Sequence, residues 1–186
     1  MIQVIDDCVE LDIQEEIFRI AFSPAICLSY SKHTTSQYSK KILRGFTHMF
    51  MCPHGSLSNY SNILSTPAIT NLPDKEYKRG RLYLQTPSSV STQGEFHVDY
   101  HHKNISMVYY VNTTDGDTVF SSIKDTDFPD DVSSEERFDY VNKNSTIVKR
   151  VTPKQGRCVI FDGSIYHASS SPTIDDRIIL NYNFAP

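Results

Sequence analysis

The chain has 186 residues, 39% of them hydrophobic and 22% charged, enough to bury the core of one globular domain over 1–186. A net charge of −4, with no basic run longer than a pair, disfavours a sequence-independent phosphate-binding surface and so nucleic acid as a partner. The four cysteines (Cys8, Cys27, Cys52, Cys158) form no Cys-x-x-Cys pair, the N-terminus is acidic where a signal peptide is basic, and no apolar run is long enough to span a membrane, so a soluble cytoplasmic protein with free thiols is expected.

In chain order, "DIQEEIFRIAF" (12–22) spaces Ile13, Ile17, Ile20 and Ala21 at helical intervals, and Pro24 ends it. Residues 29–65, rich in Ser, His, Asn and Tyr, read as irregular, with a second helix near 58–65. From "RLYLQTP" (81–87) onward the chain turns to short β-type runs: "EFHVDYH", "ISMVYYVN", "DTVFSS", "STIVKRV", "RCVIFDG", "SIYHA" and "RIILNYNF". Between "DTVFSS" and "STIVKRV" lies the acidic stretch 123–144, without a clear period and too long for a hairpin, expected as a mobile loop beside the cavity mouth. The pattern predicts a mostly β protein, a sandwich or barrel (81–186), supported by helical and irregular structure from residues 1–80 packed on one outer face.

Three of the seven histidines fall within "GEFHVDYHH" (94–102). On a strand, alternation sends Phe96, Val98 and Tyr100 to one face and Glu95, His97, Asp99 and His101 to the other. "RIILNYNF" splits likewise, with Arg177, Ile179, Asn181 and Asn183 on its more polar face. Such faces suit the wet outside of a sheet or the inside of a barrel that holds a ligand. His97-x-Asp99 with a distant His167 is the pattern of a 2-His-1-carboxylate facial triad, which leaves positions on iron(II) open. Ten residues beyond His167, the Arg177 guanidinium fits a carboxylate bidentately. The bland alternatives are polar surface for His97 and Asp99, and surface pairing of Arg177 with Asp175 or Asp176. His97 and His101 have the spacing of a zinc-protease helix, but Val98 stands where that motif needs glutamate.

In order and spacing, His97-x-Asp99, "YYVN" (109–112), "DGDTVF" (115–120), "P-x-x-G-R-x-V-x-F" (153–161), His167 and Arg177 resemble the iron(II)- and 2-oxoglutarate-dependent dioxygenases, in particular the short prolyl 4-hydroxylase-like members. The likeness covers roughly residues 81–184. It implies a double-stranded β-helix (jelly-roll, cupin-like) core, iron(II) on His97, Asp99 and His167, and 2-oxoglutarate with its distal carboxylate on Arg177. Tyr110 falls where the family often places a tyrosine on that carboxylate, and Tyr83 and Gln85 are further co-substrate candidates. Ile179 stands where several members carry serine. The implied reaction is oxidative decarboxylation of 2-oxoglutarate coupled to hydroxylation of an unactivated C–H bond, with ascorbate a candidate reductant.

A non-catalytic jelly-roll binding module would be expected to lack a ligand, and a related halogenase would lack the carboxylate that Asp99 provides. For the substrate, the resemblance points to a prolyl residue in a protein or peptide, attracted by the acidic 123–144 stretch. A free amino acid or other small metabolite is the competing expectation.

Overall fold

A computed structural model describes residues 1–31, 38–41 and 43–186; the part of the 29–65 reading that falls on 32–37 and 42 lies outside the described residues. The elements are β1 (Ile2–Ile5), α1 (Leu11–Ala21), β2 (Ser29–Ser31), β3 (Gly45–Cys52), β4 (Gly55–Ser56), α2 (Ser61–Asn71), β5 (Tyr77–Gln85), β6 (Ile105–Tyr110), β7 (Thr118–Lys124), α3 (Ser134–Asn144), β8 (Ile147–Val151), β9 (Cys158–Asp162), β10 (Ile165–Ser169) and β11 (Arg177–Phe184). The larger sheet has the order β1-β9-β6-β11-β5-β3-β2, with β4 on β3, and the smaller is β10-β7-β8. All strand pairs are antiparallel.

Three apolar layers hold these elements together. Ile17, Ile20 and Ala21 of α1 and Leu64 and Ala68 of α2 pack against Leu82, Tyr109, Leu180 and Tyr182 on the outer face of the larger sheet. Tyr83, Val108, Tyr110, Val159 and Ile179 from its inner face meet Phe120, Val151 and Ile165 of the smaller sheet. Phe96, Val119, Val141, Tyr166 and Ala168 form a third cluster, joining α3 to the outer face of the smaller sheet. Two opposed antiparallel sheets with helices outside are the jelly-roll, mostly β architecture expected from the sequence.

Four expectations are corrected. The region 1–80 is more than support, because β1 extends the larger sheet on β9 and β3 pairs with β5 from Phe46↔Leu84 to Met51↔Gly80. "GFTHMFMC" has no alternation to betray β3: its pairing with β5 forms the strand, with a register shift between Met49 and Met51. The helix expected near 58–65 runs on to Asn71 through an internal Pro67. "EFHVDYH" is an extended segment held by the isolated bridge His97↔His167, not a ladder strand.

The fourth concerns 123–144, which is regular where a loop was expected. A short 3₁₀ turn over Asp125–Asp127 is followed by α3, whose Ser133 N-cap and Glu136 side chain form a reciprocal capping box. Buried Arg137 ties the segment together, donating to the Val132, Pro129 and Asp125 carbonyls and pairing with the Asp125 carboxylate at 3.3 Å. A high density of acidic residues concealed this helix, because Arg137, Phe138 and Val141 are its buried residues and give only a short apolar stripe.

Candidate metal and anion site

The inward faces of β5 and β11 run side by side. Gln85 faces Arg177, Tyr83 faces Ile179, Arg81 faces Asn181 and Arg79 faces Asn183 across the pair. Period-2 alternation puts all eight on one face, so one strand pair carries polar groups from one end of a cavity to the other. Arg81, Tyr83, His97, Thr118, His167, Arg177, Ile179 and Asn181 are among the residues that line it. Its free volume is about 40 Å³.

At one end the predicted triad converges. One donor atom from each of His97, Asp99 and His167 lies within 4.8 Å of the others. The His97 N–H donates to the His167 carbonyl at 3.0 Å and the His167 N–H to the His97 carbonyl at 2.9 Å, which fixes the two residues directly opposite each other. Their ring centroids are 4.7 Å apart. His167 Nδ1 meets the Ile165 carbonyl at 3.0 Å and His97 Nδ1 the Glu95 carbonyl at 3.4 Å. A carbonyl only accepts, so each Nδ1 carries its proton and each Nε2 keeps a lone pair for a metal.

Asp99 is the most heavily supported member. Arg79 Nη2 donates to its carboxylate at 2.8 Å, Asn183 Nδ2 at 3.0 Å and Asn181 Nδ2 at 3.3 Å, and Arg81 Nη2 stands 3.7 Å away. Burial alone would raise the Asp99 carboxyl, but the charges of Arg79 and Arg81 win and hold it well below its usual range. Burial, reinforced by His167, pushes the His97 imidazole down to about 3, so it is neutral over the range in which imidazoles bind metals. An ionised carboxylate and two imidazoles with ligating atoms within reach of one another fit a divalent iron.

At the other end Arg177, 1% exposed, donates from Nε to the Gly116 carbonyl at 2.7 Å, from Nη1 to Gln85 Oε1 at 3.3 Å and from Nη2 to Thr118 Oγ1 at 2.9 Å. Gly116 has φ of +91°, and a Cβ there would crowd the Arg177 side chain, so glycine lets the loop close over the guanidinium. Tyr110 is inward and fully buried, while Tyr109 joins the helix-side core. The Tyr110 hydroxyl donates to Thr118 Oγ1 at 2.8 Å, and its ring lies 5.8 Å from the Arg177 guanidinium. Arg177 therefore faces the cavity; Asp175 and Asp176 are not its partners, and their carbonyls instead accept from Thr114 and Asn112.

His101 is not a third imidazole ligand. Its Nδ1 pairs with buried Asp125 at 3.1 Å, which also accepts from the Tyr166 hydroxyl at 3.1 Å. Tyr100 leaves the Phe96–Val98 side and lies under Lys78 and Arg79, 5.5 and 5.4 Å from its ring centroid. Thr118 and the roles of Arg79 and Arg81 escaped the sequence reading. The alternation Arg79, Arg81, Tyr83, Gln85 could have found the arginines, but nothing local links Asp117-Thr118 to Arg177.

A larger open groove of about 770 Å³ lies elsewhere, lined by residues including Asp127, Phe128, Asp131, Glu136 and Tyr140. It holds no member of the triad. No residue of 123–144 is among those lining the triad cavity, so the expected acidic rim is absent from it.

No protein-family model and no curated protein matches the sequence. Solved structures do. The non-haem α-ketoglutarate-dependent epimerase SnoN from nogalamycin biosynthesis is similar with a TM-score of 0.66 at 11% identity, over 98% of this chain and 77% of its own. HygX from Streptomyces hygroscopicus, with nickel and 2-oxoglutarate bound, matches with a TM-score of 0.61 at 12% identity, over 100% of this chain and 82% of its own. A 2OG-Fe(II) oxygenase family oxidoreductase from Burkholderia pseudomallei matches with a TM-score of 0.62 at 10% identity, over 99% and 84%. The chain has the fold of the 2-oxoglutarate/iron(II) oxygenases.

Proposed function

We propose that this protein is an iron(II)- and 2-oxoglutarate-dependent oxygenase that hydroxylates a substrate C–H bond. The observation that carries the reading is the pairing of a convergent His97, Asp99 and His167 set with a buried Arg177 along one cavity. The iron would supply the redox chemistry that couples dioxygen reduction and 2-oxoglutarate decarboxylation to oxidation of the substrate. The protein's own part is binding and orientation. The Ile165 and Glu95 carbonyls present the two Nε2 lone pairs, and the arginines at Asp99 keep its carboxylate ionised and in place. Arg177 donates its hydrogen bonds to uncharged acceptors, so a buried guanidinium there is suited to a carboxylate. Tyr110, through Thr118, and Gln85 orient that guanidinium, and Tyr83 lines the cavity between the two ends.

A prolyl residue of a peptide follows from the resemblance of "YYVN" and the Pro-x-x-Gly-Arg turn to prolyl hydroxylases. The charge argument for a basic or neutral peptide loses its support, since the 123–144 carboxylates do not line the cavity. A small-molecule substrate is the second reading, favoured by the cationic residues Arg79 and Arg81 beside the triad. It also agrees with a neighbouring structure of HygX that holds hygromycin B. Succinate formation from 2-oxoglutarate by the iron-loaded protein, scored against proline peptides, free proline, other amino acids and methylated oligonucleotides, tests both readings. An absence of iron-dependent succinate would overturn the oxygenase assignment.

A further inference from the structure

We infer that Arg81 and Asn181 form a second recognition edge in this cavity, for a substrate carboxylate with a hydrogen-bond donor beside it, as in an α-hydroxy or α-amino acid. The inference rests on the oxygenase reading and adds the chemical class of the substrate.

Two buried polar atoms lead to it. Arg81 Nε and Asn181 Oδ1 are both buried without a hydrogen-bond partner among the described residues. Arg81 and Asn181 are register partners on adjacent strands, and both line the cavity. An unmet donor and an unmet acceptor side by side are costly in a native interior and mark a place where a ligand or water belongs. Asn181 presents its amide nitrogen to Asp99, which leaves the carbonyl oxygen for a ligand's O–H or N–H.

Charge balance says that the ligand is anionic. Arg81 and Arg177 bring guanidiniums to the cavity walls, and Arg79 adds a third at Asp99. Asp99 answers Arg79 and Arg81 in direct contact, and Asp117 acts on Arg177 through space. A divalent ion adds two positive charges and 2-oxoglutarate returns two, so one cation is left over. Arg81 is that cation: Arg79 already holds Asp99 at 2.8 Å, whereas Arg81 stands off at 3.7 Å. Arg81 lies four rungs from Arg177 along the strand pair, about 13 Å of strand, so the two guanidiniums serve different ends of the cavity.

The test uses the zinc-substituted protein saturated with 2-oxoglutarate, probed by ligand-observed NMR with 2-hydroxyacetate and, as uncharged control, its methyl ester. The expected result is binding of the acid and not of the ester. Arg81→Gln and Asn181→Ala should weaken it about ten- to hundredfold, and by more than they weaken 2-oxoglutarate. Arg81→Lys, which keeps the charge but not the fork, should fall between and serves if the glutamine variant does not fold. No binding of the acid up to about 10 mM, or a loss of 2-oxoglutarate affinity in Arg81→Gln with acid binding intact, would overturn the inference. A wild-type protein that binds neither metal nor 2-oxoglutarate would instead remove the oxygenase reading beneath it.

Discussion

His97 and His167 are locked face to face by a reciprocal pair of backbone hydrogen bonds of 3.0 and 2.9 Å, although seventy positions separate them in the chain. The same bridge that joins the extended 94–99 segment to β10 thereby sets the spacing of two imidazoles. Geometry of this kind survives removal of a side chain, because the backbone makes it. His167→Ala is expected to fold and to lose stoichiometric binding of nickel or iron(II) by calorimetry; retention of wild-type affinity would exclude His167 as a ligand.

Asp99 should behave differently from the histidines. Removing its carboxylate leaves Arg79 and Arg81 facing each other with the compensating charge gone, and breaking one side of a buried ion cluster costs about 3–5 kcal/mol. Asp99→Ala is therefore expected to lower the midpoint of urea unfolding markedly even without metal, while Asp99→Asn, which keeps some hydrogen bonds, loses less. Equal stability of Asp99→Ala and His167→Ala would contradict this.

At the distal end, Arg177→Ala should weaken 2-oxoglutarate binding by about 2–5 kcal/mol, roughly 30- to several-thousand-fold. Tyr110→Phe removes a donor to Thr118, not to the ligand, and should cost about 0.5–1.5 kcal/mol. Thr118→Val should exceed it, because both the Tyr110 hydroxyl and Arg177 Nη2 lose their acceptor. Titration of 2-oxoglutarate into the metal-loaded variants ranks the three.

Acid should destabilise the metal-free protein in two stages. The folded His97 pKa is depressed, to about 3 from 6.5, so the unfolded chain binds a proton that the folded one refuses. Stability conferred above pH 6.5 is then lost progressively as pH falls toward 3. Asp99, also depressed, adds its loss only below its ordinary value of 3.8. Urea midpoints between about pH 7 and 4 should fall less steeply for His97→Asn than for the wild type; parallel curves would show that His97 does not carry the first stage.

The 123–144 segment should be ordered without any ligand. Ser133→Ala removes the N-cap of α3 at a cost of about 1 kcal/mol. Asp125→Ala strands buried Arg137 and should cost about 3–5 kcal/mol. Amide exchange in α3 of the free protein is expected to be protected beyond that of an open loop; exchange at random-coil rates would restore the mobile reading.

The candidate site was legible in the sequence because its signals are local or ordered. His97-x-Asp99 needs only the period of an extended chain to put both side chains on one side, and Arg177 needs only the alternation of its strand. The first helix was equally plain, since Ile17, Ile20 and Ala21 give it an apolar stripe. What the sequence left open depends on which strands lie side by side. β3 exists because β5 pairs with it, and α3 was hidden by its acidic surface. Arg79 and Arg81 had no evident role until β5 was laid against β11, which brought them, with Asn181 and Asn183, around one carboxylate. Alternation along one strand fixes which face a residue takes; only pairing between distant strands decides what that face meets.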